Sequence, residues 1–167
     1  MKLLIASDIH GDLDSLEKVL LAFEEEKADK LLFLGDLLYH GPRNDLPKTY
    51  NPKAVIALLN ERRDDILAVR GNCDTEVDQM VLNFPILAEY CYLSLDGLSV
   101  FATHGHHHNT TTPPALREGE LLLHGHTHVL KCEEFGNKIT ISIPARRLCQ
   151  RKIIREHIWF MKTARLP

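Results

Sequence analysis

The 167-residue chain has no low-complexity tract, no internal repeat and no linker. It also has no Cys-x-x-Cys pair and no apolar run near the roughly 20 residues of a bilayer span. Without biased tracts, and with 44% apolar and 26% charged residues, the composition is that of a globular domain rather than a disordered chain. Its length fits one domain with a sizeable core. Cys73, Cys91, Cys132 and Cys149 lack the spacing of a small disulfide-stapled secreted fold. Met1-Lys2 leads straight into Leu3-Leu4-Ile5, and Asp8 ends that run too early for a signal peptide. A reducing cytoplasm is the expected location, with no membrane partner. Cys91 and Cys132 lie in strand-like runs and are expected in the core.

Positive charge is scarce through most of the chain. Residues 141–167 hold seven Lys or Arg against the single acid Glu156, a local +6, and the remainder carries 13 bases against 22 acids, a balance of −9. An acidic body offers no broad basic face, which excludes duplex nucleic acid as a partner.

What the sequence does have is five polar clusters, each following a short apolar run. Asp8-Ile9-His10-Gly11 follows Leu3 to Ala6, and Gly35-Asp36 follows Leu31 to Leu34. Gly71-Asn72-Cys73-Asp74 follows Ile66 to Val69, His104-Gly105-His106 follows Leu98 to Ala102, and Gly125-His126-Thr127-His128 follows Leu121 to Leu123. Short apolar runs closed by glycine and polar residues predict buried strands ending in loops. The clusters would then meet at the carboxyl ends of neighbouring strands, where open sheets hold ligands.

Between the clusters, Leu13, Leu16, Leu20 and Phe23 recur at helical spacing, with Asp12 or Asp14 as N-cap. Ala54, Val55, Leu58 and Leu59 mark a second helix. The first seventy residues thus run β-α-β-α-β, the pattern of a parallel sheet. In the second half, Tyr90 to Leu95 and Leu98 to Ala102 flank the hairpin signal Asp96-Gly97. Leu121 to Leu123, Val129 to Glu134 and Lys138 to Ile143 follow, and this half is expected to be antiparallel. The predicted fold is α/β, a four-layered αββα sandwich of two packed sheets between helices.

A short acid after a strand is often only a loop cap. Here Asp8, Asp36 and Asn72 are joined by His10, His104, His126 and His128, and seven donors exceed one tetrahedral site. A two-metal centre, with ions about 3.5–4 Å apart, would use them all, one carboxylate bridging. Mixed nitrogen and oxygen donors suit manganese, iron, zinc or nickel better than magnesium or calcium. Two divalent ions against two carboxylates leave positive charge suited to a phosphate.

The order Asp-x-His, Gly-Asp, Gly-Asn-x-Asp, His-Gly-His, Gly-His-x-His resembles the calcineurin-like metallophosphoesterases. Asp36-Leu37-Leu38-Tyr39-His40-Gly41-Pro42-Arg43-Asn44, with Arg70-Gly71-Asn72-Cys73-Asp74, is similar to the bacterial YfcE-type phosphodiesterase branch. The resemblance spans residues 1 to about 140. It implies that Asp8, His10 and His128 hold one metal, that Asp36 bridges, and that Asn72, His104 and His126 hold the other. It implies hydrolysis of a small phosphodiester by a hydroxide bridging two divalent metals, manganese first and iron, nickel or zinc as alternatives. The implied catalytic set is Asp36, Asn72, Cys73, Asp74 and His104, with Arg43 and His106 against substrate. His40 is expected behind the ligands, and His107, His108 and His124 in loops or behind the ligands.

A phosphomonoesterase with the same centre is the enzyme alternative, and an interaction scaffold of the retromer Vps29 branch is the other. That branch lacks part of the histidine set, which is present in this chain. Many relatives carry histidine where this chain has Cys73. A thiol, with an ordinary pKa near ~8.5, is a poor proton donor to a leaving group. The expected preference is therefore for aryl-type esters. Self-association is suggested by relatives.

The resemblance stops after residue 140. Relatives continue with a strand and Asn-Pro-Gly-Ser, whereas this chain has Ile139-Thr140-Ile141-Ser142-Ile143-Pro144-Ala145-Arg146-Arg147. With permitted codons, a two-base shift of frame yields Ile-Asn-Pro-Gly-Ser and, further on, Lys-Glu-Asn-Asn-Pro-Arg-Thr-Tyr. The expected organisation is a metallophosphoesterase domain over 1–140 and an atypical, frameshifted basic tail over 141–167, with the closing strands missing or altered. The alternative for the tail is a basic amphipathic helix from Arg146 to Met161.

Overall fold

Two sheets pack face to face in the computed structural model, which describes residues 1–42, 44–95, 97–129, 131–135, 138–142 and 158–160. The first is wholly parallel. Its strands are β1 (Leu3–Ala6), β2 (Lys30–Phe33), β3 (Ile66–Ala68) and β9 (Ile158–Phe160), in the order β3-β2-β1-β9. All four residues of β1 are buried, as a central strand covered on both faces requires. Alternation then divides the core. Leu4, Ala6, Leu31 and Phe33 face helix α1 (Leu13–Glu25) and helix α2 (Pro52–Glu61), where Leu16, Val19, Phe23, Val55 and Leu59 meet them. Leu3, Ile5, Leu32 and Leu34 point the other way, onto the second sheet. Each such fully buried leucine or isoleucine contributes roughly 1.5–3 kcal/mol.

The second sheet contains β4 (Tyr90–Leu95), β5 (Leu98–Thr103), β6 (Leu121–His124), β7 (Lys131–Phe135) and β8 (Lys138–Ser142), in the order β4-β5-β6-β8-β7. Val100, Ala102, Leu121 and Leu123 close the inter-sheet core. On the far face, Leu116 packs on Phe101 and Leu122, so the 104–120 connection is the outer cover there. The α/β sandwich expected from the sequence is the fold.

This sheet differs from expectation in one respect: it is mixed. The β4–β5 and β7–β8 pairs are antiparallel hairpins, but β5–β6 and β6–β8 are parallel. Residues 104–120 return the chain across the sheet before β6 begins, and the β7–β8 hairpin places its second strand inside. Parallel β5 and β6 deliver both of their histidine clusters to the same end of the sheet.

Helix α1 begins at Asp12, whose carboxylate makes no cap bond; it accepts the hydroxyls of Ser15 (2.6 Å) and Thr49 instead. Asn51 caps α2 by accepting the Ala54 N–H, with Pro52 in the first turn. A short helix α3 (Glu76–Gln79), unanticipated, is set by a reciprocal Thr75–Asp78 capping box. Cys91 packs at the margin of the inter-sheet core, but Cys132 is exposed, a correction to its expected burial, because β7 is the edge strand. The helix alternative for Arg146 to Met161 does not hold at Ile158–Phe160, which form β9; residues 143–157 and 161–167 lie outside the described residues.

Candidate metal centre

The five clusters converge. Asp8 and Asp36 follow the ends of β1 and β2, Asn72 follows β3, and His104 and His126 follow β5 and β6. The loops are tied together by backbone bonds: Asp8 N–H donates to Gly35 O (3.0 Å), His10 N–H to Asp36 O (2.9 Å), and Gly125 N–H to His104 O (2.7 Å). His126 N–H crosses between sheets to Asp8 Oδ2 (3.1 Å).

Among the described residues, six non-glycine residues have positive φ, and five of them are Asp8 (57°), His10 (51°), Asp36 (57°), His126 (65°) and His128 (56°). Left-handed backbone at non-glycine residues costs on the order of 1–3 kcal/mol each and gathers at functional sites. The neighbouring glycines are needed for a second reason. A Cβ on Gly71 would overlap the Asp36 carboxylate, and one on Gly125 would overlap Ser7 Oγ.

The donor atoms form two groups that share one oxygen. In the first, Asp8 Oδ1 lies 3.7 Å from His10 Nε2 and 3.3 Å from His128 Nε2. In the second, His104 Nε2 lies 3.0 Å from Asn72 Oδ1 and 3.2 Å from His126 Nδ1. Asp36 Oδ2 stands between them, 3.6 Å from His10 Nε2 and 3.4 Å from His104 Nε2. Its other oxygen is held by the Cys73 N–H at 2.7 Å.

The imidazoles are oriented from behind. His10 Nδ1 bonds the carbonyl of Tyr39 (2.6 Å), and His104 Nδ1 bonds that of Leu34 (2.6 Å). A carbonyl only accepts, so each Nδ1 carries the proton, which leaves Nε2, with its lone pair whenever the ring is neutral, facing the carboxylates. Lone pairs facing lone pairs in a buried space are stable only around a cation. Asp8 Oδ1 and His10 Nε2 are buried with no hydrogen-bond partner among the described residues, which costs roughly 1–3 kcal/mol per group. Two divalent ions fit this donor set.

Protons are the alternative occupant, and the titration of the groups reflects it. Burial opposes charge on His104, but its hydrogen bond to Asp36 and the charges of Asp8 and Asp36 outweigh it and raise the pKa to about 9. Burial likewise opposes ionised Asp36, and His104 overcomes it, holding the carboxyl at about 2. Cys73 is pushed up to about 12 by burial and by Asp36. It remains a thiol.

A cavity of about 460 Å³ opens over the donors, lined by His10, Asp36, Asn44, Asn72, Cys73 and His128 among others. Asn44 and Thr127 line it without having been singled out as site residues; their only signal was adjacency to Arg43 and to the paired histidines. Arg43 lies outside the described residues, although Pro42 and Asn44 both line the cavity. Asp74 touches backbone rather than the cavity, accepting the N–H groups of Asp36 (2.8 Å), Leu37 (2.9 Å) and Gly71 (2.7 Å). His106 stands behind the ligands and outside the cavity lining, its ring 5.4 Å from that of His104 and 6.2 Å from that of His126. His40 sits between the rings of Tyr39 and Tyr50, and His124 is buried against the Gly125 carbonyl.

A second cavity, about 380 Å³ and mostly apolar, shares Cys73 with the first and is lined by Tyr39, Tyr50, Ile56, Val77 and Val81.

Known proteins resemble this chain in sequence and in fold. The calcineurin-like phosphoesterase superfamily domain matches residues 1–144. Phosphodiesterase YfcE of Escherichia coli (strain K12) is 47% identical over 149 residues, covering 86% of this chain and 81% of the relative. Its solved structure, described as a phosphoesterase, superposes with a TM-score of 0.84 at 46% identity, over 87% of this chain and 80% of that one. A solved archaeal phosphodiesterase gives 0.64 at 25% identity, over 87% and 85% of the two chains. Vps29 of Chaetomium thermophilum, at 17% identity and 0.58 over 86% and 71%, shares the fold alone. The chain belongs to the calcineurin-like phosphoesterase superfamily.

Proposed function

We propose that the chain is a two-metal phosphodiesterase acting on a small phosphodiester. The observation that carries this reading is Asp36 Oδ2, a single carboxylate oxygen between two converging donor groups. Asp8, His10 and His128 would hold one ion, Asn72, His104 and His126 the other, and Asp36 would serve both. When bound, the ions supply positive charge against the phosphoryl oxygens and acidify a water for attack at phosphorus. The carbonyls of Tyr39 and Leu34 keep His10 and His104 in the tautomer that presents Nε2. Asn72 turns its carbonyl oxygen inward, because its amide nitrogen bonds Cys73 Sγ (3.3 Å). Asp74 is a positioning residue for the Asp36 loop. Arg43, outside the described residues, is the candidate for a phosphate oxygen by the chemistry of its forked donors alone.

A diester carries two organic arms, and the apolar cavity beside Cys73 gives one of them a place to sit. This favours the diesterase over a monoesterase with the same centre. A scaffold has no use for seven converging donors. The mixed donors suit manganese, with iron, nickel and zinc as competitors. No helix of the described residues is long and apolar enough to cross a membrane. We place the protein in the cytoplasm, without duplex nucleic acid or membrane partners and with self-association of the chain. Residues 1–140 form the catalytic domain and 141–167 a frameshifted tail, a reading supported by the family match ending at residue 144. Resequencing the locus tests the tail, and an uninterrupted frame in accord with the intact mass would sink the frameshift.

The activity is tested with bis-p-nitrophenyl phosphate, with manganese and with EDTA. Manganese-dependent release of nitrophenol is expected. A folded, metal-loaded chain that releases none overturns the diesterase reading.

A further inference from the structure

Outside the centre, the pairing of β4 with β5 sets Tyr90 opposite Thr103 and so brings Glu89 beside the segment that follows β5. The Thr103 hydroxyl donates to the Glu89 carbonyl (3.0 Å) and fixes that approach. A Glu89 carboxylate oxygen and one ring nitrogen each of His106 and His107 consequently lie within 4.8 Å of one another. The two imidazoles are adjacent, with centroids 4.0 Å apart. His106 Nδ1 is buried and has no hydrogen-bond partner among the described residues. None of these three residues belongs to the two donor groups of the buried centre.

We propose that Glu89, His106 and His107 form a third metal site for a single borderline transition-metal ion of the zinc class. Two imidazole nitrogens and one carboxylate oxygen are the donor set of a three-ligand zinc site, with the fourth position left to water. Calcium and magnesium, which require oxygen cages, are poor occupants. Zinc also outranks manganese at nitrogen-rich donors, so the site discriminates between them. Glu89 and His107 are exposed, and their side chains can rotate the short distance that coordination bonds require. The ion orders the first residues of the 104–120 connection directly beside His104.

The test is equilibrium dialysis against zinc, with elemental analysis of zinc per chain, for the wild type and the variants Glu89→Ala, His107→Ala and His108→Ala. Glu89→Ala and His107→Ala are each expected to retain one zinc fewer than the wild type. His108→Ala, whose ring packs against Phe101, should retain the full number. Circular dichroism checks that each variant is folded. Wild-type zinc content in Glu89→Ala and His107→Ala would overturn the site. An equal loss in His108→Ala would overturn it too, because any neighbouring histidine would then serve. The readout is a difference between variants, so it stands apart from the activity of the buried centre.

Discussion

The carboxylate of Asp74 accepts the backbone N–H of Asp36 at 2.8 Å, from a position that is 1% exposed. The same carboxylate also holds Leu37 and Gly71, so one side chain joins the loops after β2 and β3. Asp74→Asn replaces one acceptor oxygen by a donor that faces an N–H. The expected cost is about 1–3 kcal/mol of stability. Because Asp36 is displaced, manganese affinity should also fall, by roughly 10–100-fold. Thermal melts of the metal-free chain and calorimetric titration with manganese measure the two effects separately. A destabilised variant with unchanged affinity would show that Asp74 is only a structural brace.

Asp36→Asn tests the shared oxygen. The amide keeps the volume but loses the charge, and its nitrogen cannot bind a cation. Both ions should weaken together, with kcat down by on the order of 10²–10³ or more, the loss typical of removing one group that stabilises transition-state charge. His128→Ala should weaken only the ion shared with Asp8 and His10. Metal counts after gel filtration distinguish the two variants. Equal losses would argue against two distinguishable donor groups.

Protons and metals compete for the centre, and pH exposes the competition. His104 has its pKa raised from 6.5 to about 9 in the metal-free fold. A raised pKa contributes stability that is complete below 6.5 and lost as pH rises through about 9. The lowered pKa of Asp36 acts at the other end, its contribution disappearing as pH falls from 3.8 toward about 2. EDTA-treated protein should therefore melt at progressively lower temperature between pH 6.5 and 9. Manganese-loaded protein should not, because ligands bind metal more tightly as they lose protons. Melting curves of both forms across this range check it, and parallel declines would count against metal at His104.

Much of this centre could be read from residue types alone, and the reasons are local. Asp8, Asp36, Asn72, His104 and His126 each follow an apolar run, and such runs become strands that end where the side chains are needed. The groups behind the ligands were hidden. The Leu34 and Tyr39 carbonyls orient two imidazoles, yet backbone acceptors leave no mark in composition. The left-handed backbone at five ligand candidates was equally invisible, since it is imposed by the loops that Asp74 and the crossing bonds tie together. Strand direction in the second sheet failed because the 104–120 connection, without helical periodicity, does not announce which way it returns. The seclusion of His106 from the cavity also depends on that connection.

Cys73 is where chemistry and sequence diverge most, and its replacement gives the sharpest prediction. Its Sγ lies within 4.8 Å of donor atoms of His10 and Asp36 and lines both cavities. Burial and the neighbouring Asp36 hold the thiol at about 12, so it is neither an effective acid nor a thiolate near neutral pH. Aryl leaving groups need no protonation, whereas alkyl ones do. Cys73→His supplies a proton donor while leaving intact the backbone N–H that Asp36 accepts. The rate on methyl or other alkyl phosphodiesters should rise by about 10²-fold or more, within the range of general-acid catalysis. The rate on bis-p-nitrophenyl phosphate should change little. Equal changes on both substrates would mean that position 73 shapes the cavity rather than the proton supply, and no gain on the alkyl ester would remove the thiol as the cause of selectivity.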